Sequence, residues 1–227
     1  RAPSLNELYR PFRVGNVATQ ANSDLVSERL TGGEIGFNFP LSPKLFLRVT
    51  GFWNRLKDPI SNVTLSVTPE LITRQRQNLG RVRVRGVSAQ MGYRLNSRWR
   101  FRGSYLFNES TIESNPVQAE LEGRFIPQVP RHRASLGINY FHPKRVSLNL
   151  QSRYESLRFD DDQGHLRLGD FFVADVNLSR TFSNRWEPFL SIENLFNRRY
   201  PVRAIPVVII GAPITIAAGV RFRFLPF

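Results

Sequence analysis

Apolar and polar residues alternate with a period of two over most of the chain. The clearest stretch runs from residue 81 to residue 110 and reads RVRVRGVSAQMGYRL, then NS, then RWRFRGSYLFNES. One face of its first half is apolar, through Val87, Ala89, Met91, Tyr93 and Leu95. One face of its second half is largely aromatic, through Trp99, Phe101, Gly103, Tyr105 and Phe107. Successive side chains of a strand point to opposite faces, so the pattern predicts a β-hairpin that turns at Asn96 and Ser97.

The opposite face of this hairpin is polar and cationic, since it carries Arg94, Arg98, Arg100 and Arg102. Both strands exceed the roughly 9–11 residues that a tilted transmembrane strand needs. An apolar face opposite a polar face is typical of a membrane barrel wall, with lipid outside and water or protein inside. A soluble β-sandwich also alternates, but it would rarely place three arginines on a face that packs a core.

The same alternation predicts nine wall strands, at residues 34–39, 45–53, 81–95, 98–110, 133–140, 146–155, 172–179, 186–193 and 212–224. Short turns are expected near 41–43, 96–97, 142–144 and 183–184, and long loops near 1–30, 56–80, 111–130, 157–169 and 197–211. Outer-membrane barrels show this asymmetry between short periplasmic turns and long outer loops. The predicted fold is all-β, as part of an antiparallel transmembrane β-barrel.

Two long loops differ in their expected structure. Residues 1–30 show no sustained period and are interpreted as a long loop, in which a short helix could lie without a clear 3.6-residue period. Residues 56–80 contain the strand-like segments NVTLSV and LITRQRQ, which predict a hairpin standing above the wall. Bacterial single-chain barrels have an even number of strands. Nine strands that begin inside a loop therefore lead us to expect further sequence before Arg1.

Composition narrows the function classes. The 227 residues include no cysteine, which excludes disulfides and thiolate metal sites, and the formal net charge is +14. Such a charge favours nucleic acid, anionic lipid or an acidic ligand as partner. We do not expect nucleic acid, because the aromatic residues and the arginines lie on opposite strand faces. No run approaches the roughly 18 apolar residues of a membrane-spanning helix.

Four segments resemble the C-terminal barrel half of TonB-dependent outer-membrane receptors. They are RAPSLNELY at residues 1–9, NLGRVRVRGV at 78–87, IPQVPRH at 126–132 and IENLFNRRY at 192–200. They occur in the family's order and span essentially the whole chain. RAPSLNELY and ENLFNRRY together are specific to the family.

This resemblance implies a 22-stranded barrel closed by a plug domain, in the bacterial outer membrane. Residues 1–227 would then be the last nine strands. The plug, and the box that contacts the TonB complex, have no counterpart in this chain, so it should be inactive alone. The implied function is uptake of a scarce large solute, most simply a ferric siderophore or similar metal chelate, with energy supplied through TonB.

The inward-facing charges are candidates for contact with the plug or a solute. The main set is Arg94, Arg98, Arg100, Arg102, Glu187 and Glu193, and the same face is predicted to carry Glu34, Arg48, Arg133, Arg145, Arg153, Asp175, Arg221 and Arg223. One interpretation is a cationic lumen that binds plug carboxylates or an anionic solute. The alternative is structural charge that is solvated or packed on the plug.

Arginines on the outward face suggest a lipid partner. Arg81, Arg83 and Arg85 share parity with the lipid-facing residues but lie toward the long-loop end. At that height they would meet the phosphates of lipopolysaccharide; a solvated loop stem is the alternative.

The long loops are expected to hold the ligand. The candidate residues are Tyr9, Arg10, Phe12, Arg13, Arg74, Arg76, Arg124, Asp160, Asp161, Asp162, His165, Arg198, Arg199 and Tyr200. The run Asp160-Asp161-Asp162 is interpreted as a solvated loop rather than a cation site. His132, His142 and His165 lack the spacing of metal ligands. No pattern indicates catalysis or a cofactor.

The C-terminal strand carries a further expectation from the family. Its members often end on an aromatic residue that the barrel-assembly machinery reads. Phe222, Phe224 and Phe227 are the candidates for that signal, although Pro226 interrupts the strand pattern.

Two other functions remain open from the sequence. One is a passive porin or structural barrel of about ten strands. The other is a soluble, basic binding domain.

Overall fold

The computed structural model describes residues 1–142, 146–182 and 185–222. This part of the chain contains one short helix, α1 (Leu5–Tyr9), one 3-10 turn (Ala119–Leu121) and seventeen strands. The strands are β1 (Phe12–Val14), β2 (Val17–Gln20), β3 (Arg29–Ser42), β4 (Leu45–Lys57), β5 (Ile60–Val67), β6 (Ile72–Asn78), β7 (Arg81–Arg94), β8 (Trp99–Ser114), β9 (His132–Phe141), β10 (Ser147–Glu155), β11 (Arg158–Phe159), β12 (Arg167–Leu168), β13 (Phe171–Ser179), β14 (Trp186–Glu193), β15 (Pro201–Arg203), β16 (Ile209–Ile210) and β17 (Thr215–Phe222).

Nine of these strands form one antiparallel sheet, which we call the wall. Its order is β3-β4-β7-β8-β9-β10-β13-β14-β17, so each wall strand lies beside the next one along the chain. The predicted nine-stranded meander is confirmed, although β3 begins at Arg29 rather than at residue 34. Within the described residues, β3 and β17 pair on one side only, so the sheet is not closed into a barrel.

The register of the wall places the predicted apolar positions on one face. Ile35 pairs with Gly51, Gly51 with Val87, and Val87 with Phe107. Directly paired residues point to the same side of a sheet. The same alignment continues across the later strands through the pairs Ile138–Leu150, Leu150–Val176, Val176–Ile192 and Ile192–Ile216. We call this apolar side the outer face and the opposite side the inner face.

Short turns and long connections lie at opposite ends of the wall, as predicted. Only Pro43 and Lys44 separate β3 from β4. The predicted turns at 142–144 and 183–184 lie largely outside the described residues. The long connections are named L1 (1–28), L2 (58–80), L3 (115–131), L4 (156–170) and L5 (194–214). No helix in the described part of the chain is long and apolar enough to cross a membrane.

L1 and L2 together build a second, four-stranded sheet. Its order is β1-β2-β6-β5, with β2 parallel to β6. The hairpin predicted within residues 56–80 is confirmed as β5 and β6. The long loop expected at residues 1–30 is more ordered than its lack of a sustained period indicates, because L1 contains α1, β1 and β2. The Ser4-x-x-Glu7 capping box that starts α1 was a readable signal for the helix.

The buried apolar core lies where the loops meet the wall. Val63 of β5 and Leu79 of L2 pack with Val82, Ile112 and Leu121. Val82 and Ile112 pair directly across β7 and β8, on the inner face near the long-loop end. Burial of apolar side chains stabilises the contact. L2 and L3 are therefore packed onto the inner face rather than extended into solvent.

Candidate functional site

Four arginines form a cluster on the inner face at the short-turn end, which we call the arginine quartet: Arg94, Arg98, Arg100 and Arg102. Arg94 pairs directly across the ladder with Arg100. Arg98 and Arg102 lie two positions to either side of Arg100, on the same face of an extended chain. All four are exposed. Among the described residues, no acid lies within ion-pair distance of any of them.

Some other inner-face charges are paired within the wall and its loops. Glu155 bridges Arg133 at 3.3 Å and Arg158 at 3.5 Å. Glu187 accepts from Arg221 at 3.2 Å, so this predicted plug-facing acid has a partner in the neighbouring wall strand. Glu193 is exposed at the end of β14. Arg145 and Arg223 lie outside the described residues.

The aspartate run is the main correction to the sequence interpretation. Asp160, Asp161 and Asp162 are only 5%, 7% and 4% exposed, so the expected solvated loop is wrong. Asp160 accepts from the backbone N–H groups of Ala204 and Ile205 in L5, at 2.6 and 2.9 Å.

Asp160 and Asp162 also bind L3 and L2. The second carboxylate oxygen of Asp160 accepts from Gln128 of L3 at 2.5 Å, and Asp162 accepts from the N–H and hydroxyl of Thr64 in L2. Asp161 closes L4 on itself by accepting from the N–H groups of His165 and Leu166. Asp160 and Asp162 therefore fasten L4 to L2, L3 and L5.

Most ligand-loop candidates of L1 and L2 are accessible. Arg10 and Arg13 are exposed, and Tyr9 ends α1 with 66% of its surface exposed. Arg76 places its guanidinium 5.3 Å from the ring of Phe12 and donates to the carbonyl of Asn6. These contacts bring candidates from L1 and L2 onto one surface. Arg74 of β6 is half-buried.

The start of L1 is fixed by an ionic network around Glu7. Arg1 donates to both carboxylate oxygens of Glu7, at 3.0 and 2.9 Å, and Ser4 donates its N–H and hydroxyl to the same group. The hydrogen bond from Arg1, followed by those from Ser4, lowers the pKa of Glu7 from 4.5 to about 2. The carboxylate therefore stays ionised well into the acid range.

Candidates in L5 and L3 divide by exposure. Arg198 and Arg124 are exposed, whereas Tyr200 is buried and stacks on Phe171 with ring centroids 4.1 Å apart. Asn194 organises this region, with φ of +50°, and its side-chain amide donates to the carbonyls of Arg198 and Ala212. A ligand contact for Tyr200 stays a prediction, but its ring already packs within the protein.

The outward arginines near the long-loop end are partly paired. Arg85 forms an ion pair with Glu109 at 3.1 Å, and Arg55 forms one with Glu113 at 3.1 Å. Arg81 remains exposed. Aromatic rings follow on the same face, including Trp99 stacked on Phe101 and packed against Tyr140 at 4.6 Å.

The histidines and acids of the described ranges form no metal centre. The described residues include no group of three or more histidines, aspartates or glutamates placed to hold a metal ion. His132 instead makes a 2.8 Å hydrogen bond with the hydroxyl of Tyr105 on the outer face.

Of the predicted assembly signal, only Phe222 is described. It pairs with Trp186 on the outer face, with ring centroids 4.7 Å apart. Phe224 and Phe227 lie outside the described residues.

Solved structures of similar fold are outer-membrane receptors and transporters. The ferric yersiniabactin uptake receptor FyuA from Yersinia pestis is 19% identical, with a TM-score of 0.72 over 88% of this chain and 31% of its own. The copper transporter OprC is 19% identical, with a TM-score of 0.76 over 99% and 35%. The ferric-catecholate import receptor Fiu from E. coli K12 is 18% identical, with a TM-score of 0.70 over 99% and 30%. At these identities the likeness shows the fold.

Sequence comparison identifies the family. No curated protein matches the chain. The family described as TonB dependent receptor-like, beta-barrel matches residues 1–195, which is most of the chain. Its members and the structures above are transport receptors rather than enzymes, in agreement with the sequence prediction. The chain therefore belongs to the TonB-dependent receptor β-barrel family of the bacterial outer membrane.

Proposed function

We propose that this chain forms the last nine strands of the 22-stranded barrel of a receptor that imports a ferric siderophore or a similar metal chelate. The family assignment supports the proposal. The chain spans 30–35% of the length of the three receptors compared, whose names refer to ferric chelates or to copper.

The observation that carries the ligand class is the surface shared by L1 and L2. Exposed cations, Arg10 and Arg13, lie beside the Arg76–Phe12 pair, and the ring of Phe12 is 43% exposed. Guanidinium groups bind carboxylate and phenolate-type oxygens, and aromatic rings pack on planar ligand parts. This combination fits an anionic chelate that carries aromatic or apolar groups.

The energy source and the gate would come from other parts of the receptor. In this proposal the plug domain fills the lumen and a TonB box links the receptor to the inner membrane. The chain alone is then not expected to transport.

Membrane partners follow from the outer face. Its apolar residues would contact lipid, and Arg81, Arg83 and Arg85 would lie at the height of lipopolysaccharide phosphates. Phe222, Phe224 and Phe227 would present the C-terminal strand to the barrel-assembly machinery.

Growth complementation with the full-length receptor tests the function. A strain lacking its own receptors is supplied with single iron chelates, or with cobalamin, in tonB-positive and tonB-negative backgrounds. We expect TonB-dependent growth on at least one ferric chelate, and weaker growth when Arg10→Ala and Arg198→Ala are combined. Arg29→Ala on the outer face serves as the control. Growth that persists without TonB would instead indicate a passive porin.

A further inference from the structure

We propose that the outer face carries a binding site for one phospholipid with a hydrogen-bond-donating headgroup, centred on Arg180 at the short-turn end of the wall. Arg180 directly follows the last residue of β13 and has the same parity as the outer-face residue Leu178. Its N–H donates to the carbonyl of Pro188 in β14 at 3.1 Å, so it continues the ladder between the two strands. A cation therefore lies at the edge of the apolar outer face.

The surroundings of Arg180 are apolar, and its charge is accessible. Leu178 precedes it on the same face, and the ring of Phe182 lies 4.5 Å from its guanidinium carbon. Arg180 is exposed, and it takes part in none of the ion pairs formed among the described residues. Guanidinium groups bind phosphate oxygens well. Arg180 can therefore accept an anion from outside the wall.

The backbone carbonyl of Arg180 supplies a second polar group at the same place. In an antiparallel sheet, the two residues of a hydrogen-bonded pair exchange two N–H···O bonds. Arg180 donates the first of these bonds to Pro188, but proline has no N–H with which to return the second. An unpaired backbone acceptor is costly in apolar surroundings. This carbonyl therefore favours a ligand that brings its own donor.

A phosphoethanolamine headgroup matches both groups. Its phosphate oxygens accept from the guanidinium group of Arg180, and its ammonium group donates to the Arg180 carbonyl. A phosphocholine headgroup carries the same charges, but its methylated nitrogen has no N–H to donate. The site should therefore prefer ethanolamine to choline.

A shallow groove beside Arg180 suits the acyl chains of the same lipid. It has a volume of about 720 Å³, and its apolar lining includes Val146, Leu178, Phe182 and Leu190. Leu178 pairs directly with Leu190 on the side of Arg180 that is farther from the turn. The acyl chains would therefore run toward the middle of the wall while the headgroup stays at its rim.

The height of the site on the wall indicates the leaflet. Short turns of outer-membrane barrels face the periplasm. Trp186 packs on Phe222 at this end of the outer face, and tryptophan is enriched where a membrane meets water. The ligand would therefore be a glycerophospholipid of the periplasmic leaflet rather than lipopolysaccharide. This inference rests on the proposed contact of the outer face with lipid, and it is independent of the transported ligand.

Native mass spectrometry of the full-length receptor in detergent tests the site. Phosphatidylethanolamine and phosphatidylcholine with identical acyl chains are titrated separately onto the wild type and each variant. Arg180→Ala removes the cation, and Pro188→Ala supplies an N–H opposite the Arg180 carbonyl. Arg29→Ala is the matched control, because it removes an exposed arginine from the other end of the outer face.

We expect the wild type to bind phosphatidylethanolamine about two- to tenfold more tightly than phosphatidylcholine, which is the effect of one hydrogen bond. Arg180→Ala should weaken the binding of both lipids several-fold. Pro188→Ala should lower the affinity for phosphatidylethanolamine to that for phosphatidylcholine, and Arg29→Ala should behave as the wild type.

The inference is overturned if Arg180→Ala binds both lipids like the wild type. It is also overturned if the wild type shows no preference between the two lipids, or if the preference survives in Pro188→Ala. Absence of ferric-chelate growth while this lipid binding is intact would contradict the proposed import function alone.

Discussion

Asp162 holds Thr64, which lies 98 positions earlier in the chain. One carboxylate oxygen accepts the Thr64 N–H at 2.8 Å, and the other accepts its hydroxyl at 2.7 Å. Both residues are buried. Two buried donors in L2 therefore depend on one carboxylate in L4.

Replacing that carboxylate should destabilise the loops. Asp162→Asn leaves one acceptor oxygen for two buried donors, so we expect a loss of about 1–3 kcal/mol in the free energy of unfolding. Unfolding of the full-length receptor in detergent measures it. Asp170→Asn, an exposed acid in the same loop, should change stability by less than about 0.5 kcal/mol. Equal losses in both variants would show that net charge, not this contact, matters.

Two asparagines with left-handed backbone give a matched pair in L5. Asn194 has φ of +50° and its amide donates to two carbonyls, whereas Asn197, with φ of +47°, accepts from the N–H of Ile214. Asn194→Asp removes both donors, so we expect a loss of about 1–3 kcal/mol. Asn197→Asp keeps the acceptor and should be nearly neutral. Thermal unfolding measures the stability of the two variants. A larger loss of stability in Asn197→Asp than in Asn194→Asp would contradict the assigned roles.

The wall should reject a side chain at Gly86. A Cβ there would lie 2.1 Å from the carbonyl oxygen of Phe107 and 2.6 Å from the ring of Phe52. The backbone of Phe107 cannot move aside as a flexible side chain can. Gly86→Ala should therefore lower the free energy of unfolding by about 1–3 kcal/mol. At Gly103 the nearest atom is 3.8 Å away, and Gly103→Ala is the control. The heat-modifiable folded fraction on gels measures assembly; equal yields would contradict the prediction.

Acid should loosen α1 through Glu7. Its pKa is lowered from 4.5 to about 2, so the ionised group stabilises the folded loop above pH 4.5. This stabilisation is lost as the pH falls from 4.5 toward 2. We expect amide protection in α1 to decline over that window, and Glu7→Gln to remove the dependence. Hydrogen exchange by mass spectrometry measures both; an unchanged slope in Glu7→Gln would assign the effect to another group.

The wall was predictable because one face of its strands is apolar and the other is polar. This difference gives the sequence a period of two, which predicts that Val87, Phe107 and Ile138 share one face. The arginine quartet followed from the same parity. Position in a strand was enough to locate these residues.

The structure of the loops was less predictable because it depends on contacts between residues that are distant in the sequence. Nothing near Asp162 in sequence points to Thr64, and nothing near Tyr200 points to Phe171. Three adjacent acids ordinarily favour solvent. Their burial is tolerable here because backbone N–H groups, the Thr64 hydroxyl and the Gln128 amide donate hydrogen bonds to the carboxylates. The capping box of Ser4 and Glu7 is a local exception, because these two residues mark the start of α1 in the sequence, although no helix was predicted there.

The fastening of L4 to three other loops also bears on how such receptors change specificity. If L4 alone were replaced by the loop of a relative, the donors of Thr64, Gln128 and Ala204 would lose their acceptors unless the new loop supplied carboxylates at the same places. Recombination and engineering should therefore succeed when L2 to L5 are exchanged as one cassette. Individual loops would be free to vary only at their tips.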